Sequence, residues 1–189
     1  IKKNLIDKKA ITTTSYKGTE DEGRWIRAEI KTILNKPLCI WGIYAPTLAK
    51  DRKKWLKDLG NEIRTDKGYT LIAGDFNFII DTTLDKRGGR KNSGRTGTIE
   101  QKRCEKEFNV ADVWRKQHPN EIGTTWSNGV KDINKRVQTR IAIVLTDSRI
   151  LDRITNIEIL KTKVSDHDAV AWLIEAKMKI KKTPYDKIP

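Results

Sequence analysis

The sequence predicts an α+β (mixed α/β) fold in which β-sheets pack between helices. Three features lead there. Segments that alternate apolar and polar, or are apolar throughout, recur along the chain and read as strands. One stretch, residues 49–64, is strongly amphipathic at helical spacing. Strand and helix do not alternate regularly, which argues against a doubly wound parallel sheet.

Taken in order, residues 1–14 are basic and weakly patterned, with one short strand around residues 10–14. Residues 18–23 read as a turn. Over residues 25–34, Ile26, Ala28 and Ile30 face one way and Arg27, Glu29 and Lys31 the other, the signature of a half-buried strand. Asn35-Lys36-Pro37 turns the chain into a hairpin. Residues 38–44 are apolar on both faces, as a central strand covered on both sides requires, and Ala45-Pro46 ends it. In the helix, Trp55, Leu59 and Ile63 recur every four residues with Leu56 beside them, while Lys53, Lys54, Lys57 and Asp58 cover the other side. Residues 69–73 form another buried strand running into Gly74-Asp75-Phe76-Asn77. Residues 86–103 are Gly-rich and basic, residues 100–114 are helical in part, and residues 139–145, 153–160 and 169–176 read as strands.

The 189 residues suit one domain, residues 1–180, with residues 181–189 as a tail or linker. That length buries a core without metal or disulfide staples. Lys+Arg outnumber Asp+Glu by 39 to 25, a formal charge of +14 that favours a polyanionic partner, nucleic acid above all; a solubilising surface is the rival reading. No apolar run reaches the ~18–20 residues of a membrane span. No signal peptide opens the chain. Two cysteines, Cys39 and Cys104, are too few for a disulfide framework or a Cys-rich zinc site. Cys39 lies in the apolar run Leu38-Cys39-Ile40-Trp41 and reads as a buried reduced thiol, which fits an intracellular compartment. The chain begins at Ile1 and its one methionine is Met178, so it reads as a fragment, a processed product or a trimmed piece.

Four segments can carry chemistry. Asp75 and Asn77 stand two apart at the carboxyl end of a buried strand, so both can converge on one target. A carboxylate there can bind a hard cation or take a proton from water, and an amide can hold a phosphate oxygen; an Asp/Asn-rich turn is the plainer reading. Ser165-Asp166-His167-Asp168 places one of only two histidines between two acids, where it can donate to a phosphate or move a proton, or simply be a polar strand start. Tyr44, closing Trp41-Gly42-Ile43-Tyr44-Ala45-Pro46, offers a phenol that can donate to a phosphate or pack with a wet hydroxyl. Thr124-Thr125-Trp126-Ser127-Asn128-Gly129, followed by Arg140, is either the lining of a nucleic-acid groove or a plain hairpin turn. The 86–103 segment adds Arg87, Arg90, Lys91 and Arg95 as candidate contacts to a phosphate backbone.

The order Tyr-Ala-Pro, Gly-Asp-Phe-Asn, Thr-Trp-Ser, Thr-Arg-Ile, Ser-Asp-His resembles the endonuclease/exonuclease/phosphatase superfamily, and within it the endonuclease domain of LINE-type (non-LTR) retrotransposons. Gly23-Arg24-Trp25-Ile26-Arg27-Ala28 and Asp112-Val113-Trp114-Arg115 with His118-Pro119 look like the same branch. The resemblance covers residues 23–176. It implies a four-layer α/β sandwich of two facing β-sheets flanked by helices, and Mg²⁺- or Mn²⁺-dependent nicking of DNA. It also implies further polyprotein domains such as a reverse transcriptase, and a nuclear location. By position, Asp75 would orient or deprotonate the attacking water and Asn77 would hold the scissile phosphate. Asp166 would belong to the acidic cluster near the metal. His167 and Tyr44 would bind the phosphate, and Thr125 would line the site. His118 would have no catalytic role.

The sequence departs from that pattern twice. Where the family has an Asp that orients the catalytic His, Thr139-Arg140-Ile141 is followed by Ala142. Asp168 adjoins His167, but neighbours on a strand point to opposite faces. The family's opening strands also carry an Asn and a metal-binding Glu, and nothing before Gly23 supplies them. The chain therefore reads as this sandwich lacking its first strands, with an impaired site. The alternatives are a non-catalytic nucleic-acid binder or another phosphoesterase of the same superfamily, because fold does not fix function.

Overall fold

The computed structural model describes residues 11–15, 23–31, 34–89 and 98–175. Its elements run β1 (Ile11–Ser15), β2 (Trp25–Ile30), β3 (Leu38–Tyr44), α1 (Ala49–Ile63), β4 (Tyr69–Asp75), β5 (Lys86–Arg87), α2 (Thr98–Phe108), β6 (Val110–Asp112), α3 (Val113–Gln117), β7 (Trp126–Ser127), β8 (Gln138–Thr139) and β9 (Ala142–Asp147). A 3-10 helix (Ser148–Arg153) leads to β10 (Ile154–Leu160) and β11 (Ala169–Ile174). The fold is mixed α/β, with sheets flanked by helices.

The main sheet has six strands in the order β1-β2-β3-β4-β9-β6. The β2–β3 hairpin is antiparallel, β3 and β4 are parallel, and α1 connects them. The apolar runs of β3 and β4 are what a strand covered on both faces needs: Leu38, Cys39, Trp41, Leu71 and Ile72 are all buried. One face carries Cys39, Trp41, Ile43 and Ile72, which pack with Trp55, Leu56, Leu59 and Ile63 of α1 and Cys104 of α2. The other carries Leu38, Leu71 and Val144. They pack with Trp114 of α3, Ile150, and Ile154 and Ile157 of the antiparallel β10–β11 pair. Inside α1 the buried Arg52 guanidinium reaches back to the carbonyls of Pro46 (3.2 Å) and Thr47 (2.8 Å), tying the helix start to the end of β3.

Both cysteines are free and buried. Burial pushes the Cys39 thiol up to about 11 and the Cys104 thiol up to about 12. Among the described residues no helix is long and apolar enough to cross a membrane.

One expectation is corrected. Residues 139–145 do not form one strand: β8 ends at Thr139 and β9 starts at Ala142, because Arg140 turns into the protein to meet buried carboxylates. Residues 100–114 are helical in part: α2 ends before Asn109, whose φ of 52° admits no helix, β6 follows and α3 restarts the helix.

Candidate active site

The site begins at the carboxyl end of β4. Gly74 has φ 145°, and a Cβ there would lie 2.0 Å from the Ile43 carbonyl oxygen, so only glycine lets β4 approach β3 this closely. Asp75 follows as the last residue of the strand. Its Oδ1 accepts from the Asn77 backbone N–H at 2.8 Å. Asn77 sits at φ 52° with its side chain buried, and Nδ2 donates to the Ala45 carbonyl at 2.8 Å. One amide proton of Asn77 thus locks the ends of β3 and β4 together, and a primary amide carries a second.

Register then builds a row. Tyr44 of β3 stands beside Asp75 of β4, and Asp75 stands beside Ala142 of β9. Directly opposite residues share a face, and this is the face that packs against β10–β11 through Leu38, Leu71 and Val144. Tyr44 is 52% exposed, with the Arg24 guanidinium 5.6 Å from its ring centroid.

The second sheet supplies the rest. His167 lies just before β11, bridged antiparallel to Trp126 of β7. Its position is fixed by backbone bonds on both sides, Ser127 N–H to the Asp166 carbonyl (3.0 Å) and Asp168 N–H to the Thr125 carbonyl (2.8 Å). The Trp126 indole donates to Asp166 Oδ2 at 2.9 Å and holds that exposed carboxylate below its usual range. Asp168 does not serve His167: its Oδ2 accepts from Lys161 Nζ at 2.6 Å and its Oδ1 from Thr162 N–H.

Several candidates have other roles. Arg140 is 1% exposed and does not face a nucleic-acid groove. Its guanidinium is clamped between Asp85 (Nε to Oδ1, 2.7 Å) and Asp112 (Nη2 to Oδ2, 2.7 Å), whose charges keep it firmly protonated despite burial. Thr125 is also fully buried; its Oγ1 accepts from the N–H groups of Ile141 (3.0 Å) and Ala142 (2.9 Å), so it positions β9 and does not touch nucleic acid. Asn128 closes its turn, accepting from Val130 and Val137 N–H. Trp126 is half-buried and Arg87 is exposed on β5. Arg90, Lys91 and Arg95 lie outside the described residues. His118 stacks on Trp114 with ring centroids 4.0 Å apart and contacts Glu121.

Asp85, which joins the Arg140 cluster together with Arg115, was not singled out from sequence. The signal was there: an arginine between apolar strand segments needs a buried counter-charge, and Leu84-Asp85 offers one.

A hard divalent cation takes about six oxygen ligands. Among the described residues no three Asp, Glu, His or Cys side chains gather where they could hold a metal ion; Mg²⁺, which keeps several waters, can be held by one or two carboxylates with substrate phosphates.

No protein-family model matches the sequence, and no curated protein sequence matches it. Solved structures do match the fold. An AP endonuclease from Archaeoglobus fulgidus superposes with TM-score 0.65 at 18% identity, covering 87% of this chain and 70% of that one. A 3′ phosphatase, NExo, from Neisseria, bound to product DNA hairpin, gives 0.65 at 16% identity, covering 83% and 66%. An AP endonuclease from Leishmania major gives 0.70 at 14% identity, covering 87% of this chain and 61% of that one. The chain thus has the fold of these two AP endonucleases and this 3′ phosphatase, over roughly two thirds of their length.

Proposed function

We propose that this chain is the endonuclease-like domain of a LINE-type retroelement, with a DNA phosphodiester site of weakened catalysis. The observation that carries this reading is the row Tyr44–Asp75–Ala142 at one sheet end, on the face shared with the His167 strand. Asp75 takes the proton of the attacking water. The second amide proton of Asn77, the Tyr44 phenol and the His167 ring donate to the phosphate oxygens. Phosphoryl transfer needs this positioning and charge neutralisation more than a covalent nucleophile.

The weakness has a physical cause. Ala142 puts a methyl where a carboxylate would fix the tautomer and charge of His167, and Asp168 is taken by Lys161. In Ser-His-Asp enzymes a comparable change costs about 10⁴ in kcat. Mg²⁺ or Mn²⁺ enters the reading by resemblance alone, and no step is assigned to it. A reverse transcriptase domain and a nuclear location belong to the same reading.

The net charge of +14 favours DNA as substrate and also supports a second reading, a binder that no longer cleaves. Supercoiled plasmid incubated with Mg²⁺ separates them. Nicking by the unmutated chain above an Asp75→Ala control supports a residual enzyme. Salt-sensitive DNA binding with no such nicking supports the binder, and neither behaviour sinks both.

A further inference from the structure

We propose that the cleft between α1 and α2 is a docking site for an acidic amphipathic helix of a partner protein, which seats one bulky apolar side chain between the two helices. The inference stands apart from the nucleic-acid reading above, because it uses none of the residues of the candidate active site.

The carboxyl-terminal parts of the two helices meet. A Cβ on Gly60 would lie 2.7 Å from the Phe108 ring, and Arg64 Nη2 donates to Glu107 at 2.8 Å. Away from that contact the helices leave a cavity of about 120 Å³ between them, floored by Leu56, Cys104 and Phe108. An apolar cavity of about 150 Å³ takes one benzene ring, so this one holds a single apolar side chain. Ile99, the second residue of α2, lines the same cavity and is 81% exposed. The floor and Ile99 form one apolar surface with polar residues at its rim, the make-up of an interaction site.

The rim sets the charge of the partner. Lys53 and Lys57 line the cavity from α1, are exposed, and have no side-chain hydrogen-bond or ion-pair partner among the described residues. Lys50 and Lys54, also exposed, extend the basic surface of that helix. Of the two rim carboxylates, Glu107 is taken by Arg64 and Arg103, which leaves Glu100 against two free ammonium groups. Residues four apart on a helix lie about 5–6 Å apart, so carboxylates one turn apart on a partner helix match Lys53 and Lys57. A helix laid in an apolar groove is a recurring mode of recognition. A phosphate backbone would meet the lysines and leave Ile99 and the floor in water. An uncharged hydrophobe would leave the lysines unused. An acidic helix with an apolar anchor uses both.

The test uses a short fluorescein-labelled peptide of Glu, Leu and one central Phe, its apolar residues at helical spacing, read by anisotropy and by methyl NMR of the protein. Saturable binding to the unmutated chain is expected, with shifts of the Ile99 and Leu56 methyl resonances. Replacing the Phe of the peptide by Ala is expected to weaken binding about thirtyfold, as loss of a buried central anchor does. The double variant Lys53→Glu, Lys57→Glu is expected to bind about tenfold more weakly or worse, because like charges then face each other. Both lysines are exposed, so the double variant keeps the fold. Absence of saturable binding, equal binding by the double variant, or binding that leaves Ile99 and Leu56 unmoved overturns the docking site and leaves the proposed function standing. A DNA duplex that shifts the same methyl resonances and displaces the peptide assigns the cleft to nucleic acid and overturns it as well.

Discussion

Asp75 and Ala142 stand directly opposite each other on β4 and β9, at the end of the main sheet that faces the His167 strand. A carboxylate meets a methyl, with the Tyr44 phenol next on the row and Asn77 two residues on. The sheet end therefore carries polar groups on either side of one apolar position.

The buried ion cluster makes the strongest stability prediction. Arg140 joins Asp85, which follows the β4 exit loop, to Asp112, which also caps α3 by accepting from Arg115 N–H. Arg140→Ala leaves the buried Asp112 carboxylate without its cation and Asp85 with Arg115 alone. It is expected to cost about 3–5 kcal/mol, read by urea denaturation. Arg140→Lys cannot reproduce the forked contacts and should lie between. A loss under 1 kcal/mol for Arg140→Ala would show that the cluster does not hold this end of β9.

Thr125 makes a narrower one. Its hydroxyl oxygen accepts two backbone N–H groups, those of Ile141 and Ala142. Thr125→Val removes the acceptor and leaves buried donors unpaired, at about 1–3 kcal/mol. Thr125→Ser keeps the oxygen and should recover most of that. Equal losses in the two variants would mean that the methyl packing matters and the hydroxyl does not.

The Trp126–Asp166 contact predicts a pH dependence. The indole hydrogen bond, with His167 adding to it, lowers the Asp166 pKa. A depressed carboxylate favours the folded state above its unfolded pKa and loses that preference as pH falls through the folded value. Trp126→Phe should move the Asp166 titration upward, measured by carboxyl carbon NMR. The indole proton of the unmutated chain should follow the same titration. An unchanged Asp166 midpoint in Trp126→Phe would contradict the assignment.

How much of this was legible in the sequence differs by segment. The runs that became β3, α1 and β4 were plain, because their apolar periods are set by burial against neighbours on both faces. Gly74-Asp75-Phe76-Asn77 was legible as a polar turn that ends a buried strand, and the structure shows its turn contacts, Asn77 N–H to Asp75 and Asn77 Nδ2 to the Ala45 carbonyl. Arg140 was misread as a nucleic-acid contact. Its partners Asp85 and Asp112 are 55 and 28 residues away in sequence, and nothing local distinguishes a buried guanidinium from an exposed one. Thr125 was misplaced for the same reason, since the N–H groups it accepts belong to a break between β8 and β9 that periodicity alone does not reveal. The row Tyr44–Asp75–Ala142 needed the strand order, because parallel β3–β4 and antiparallel β4–β9 pairings together decide which residues meet.

The most direct test of the account is plasmid nicking by Ala142→Asp in Mg²⁺, beside the unmutated chain and the Ala142→Asp, Asp75→Ala double variant. A new carboxylate opposite Asp75 restores an orienting partner on the row. The account expects any nicking that Ala142→Asp adds to the unmutated chain to be partial, because the row supplies only part of the site, and to be lost in the double variant. Nicking by a folded Ala142→Asp variant that persists undiminished in the Ala142→Asp, Asp75→Ala double variant would contradict the claim that this row is a phosphodiester site.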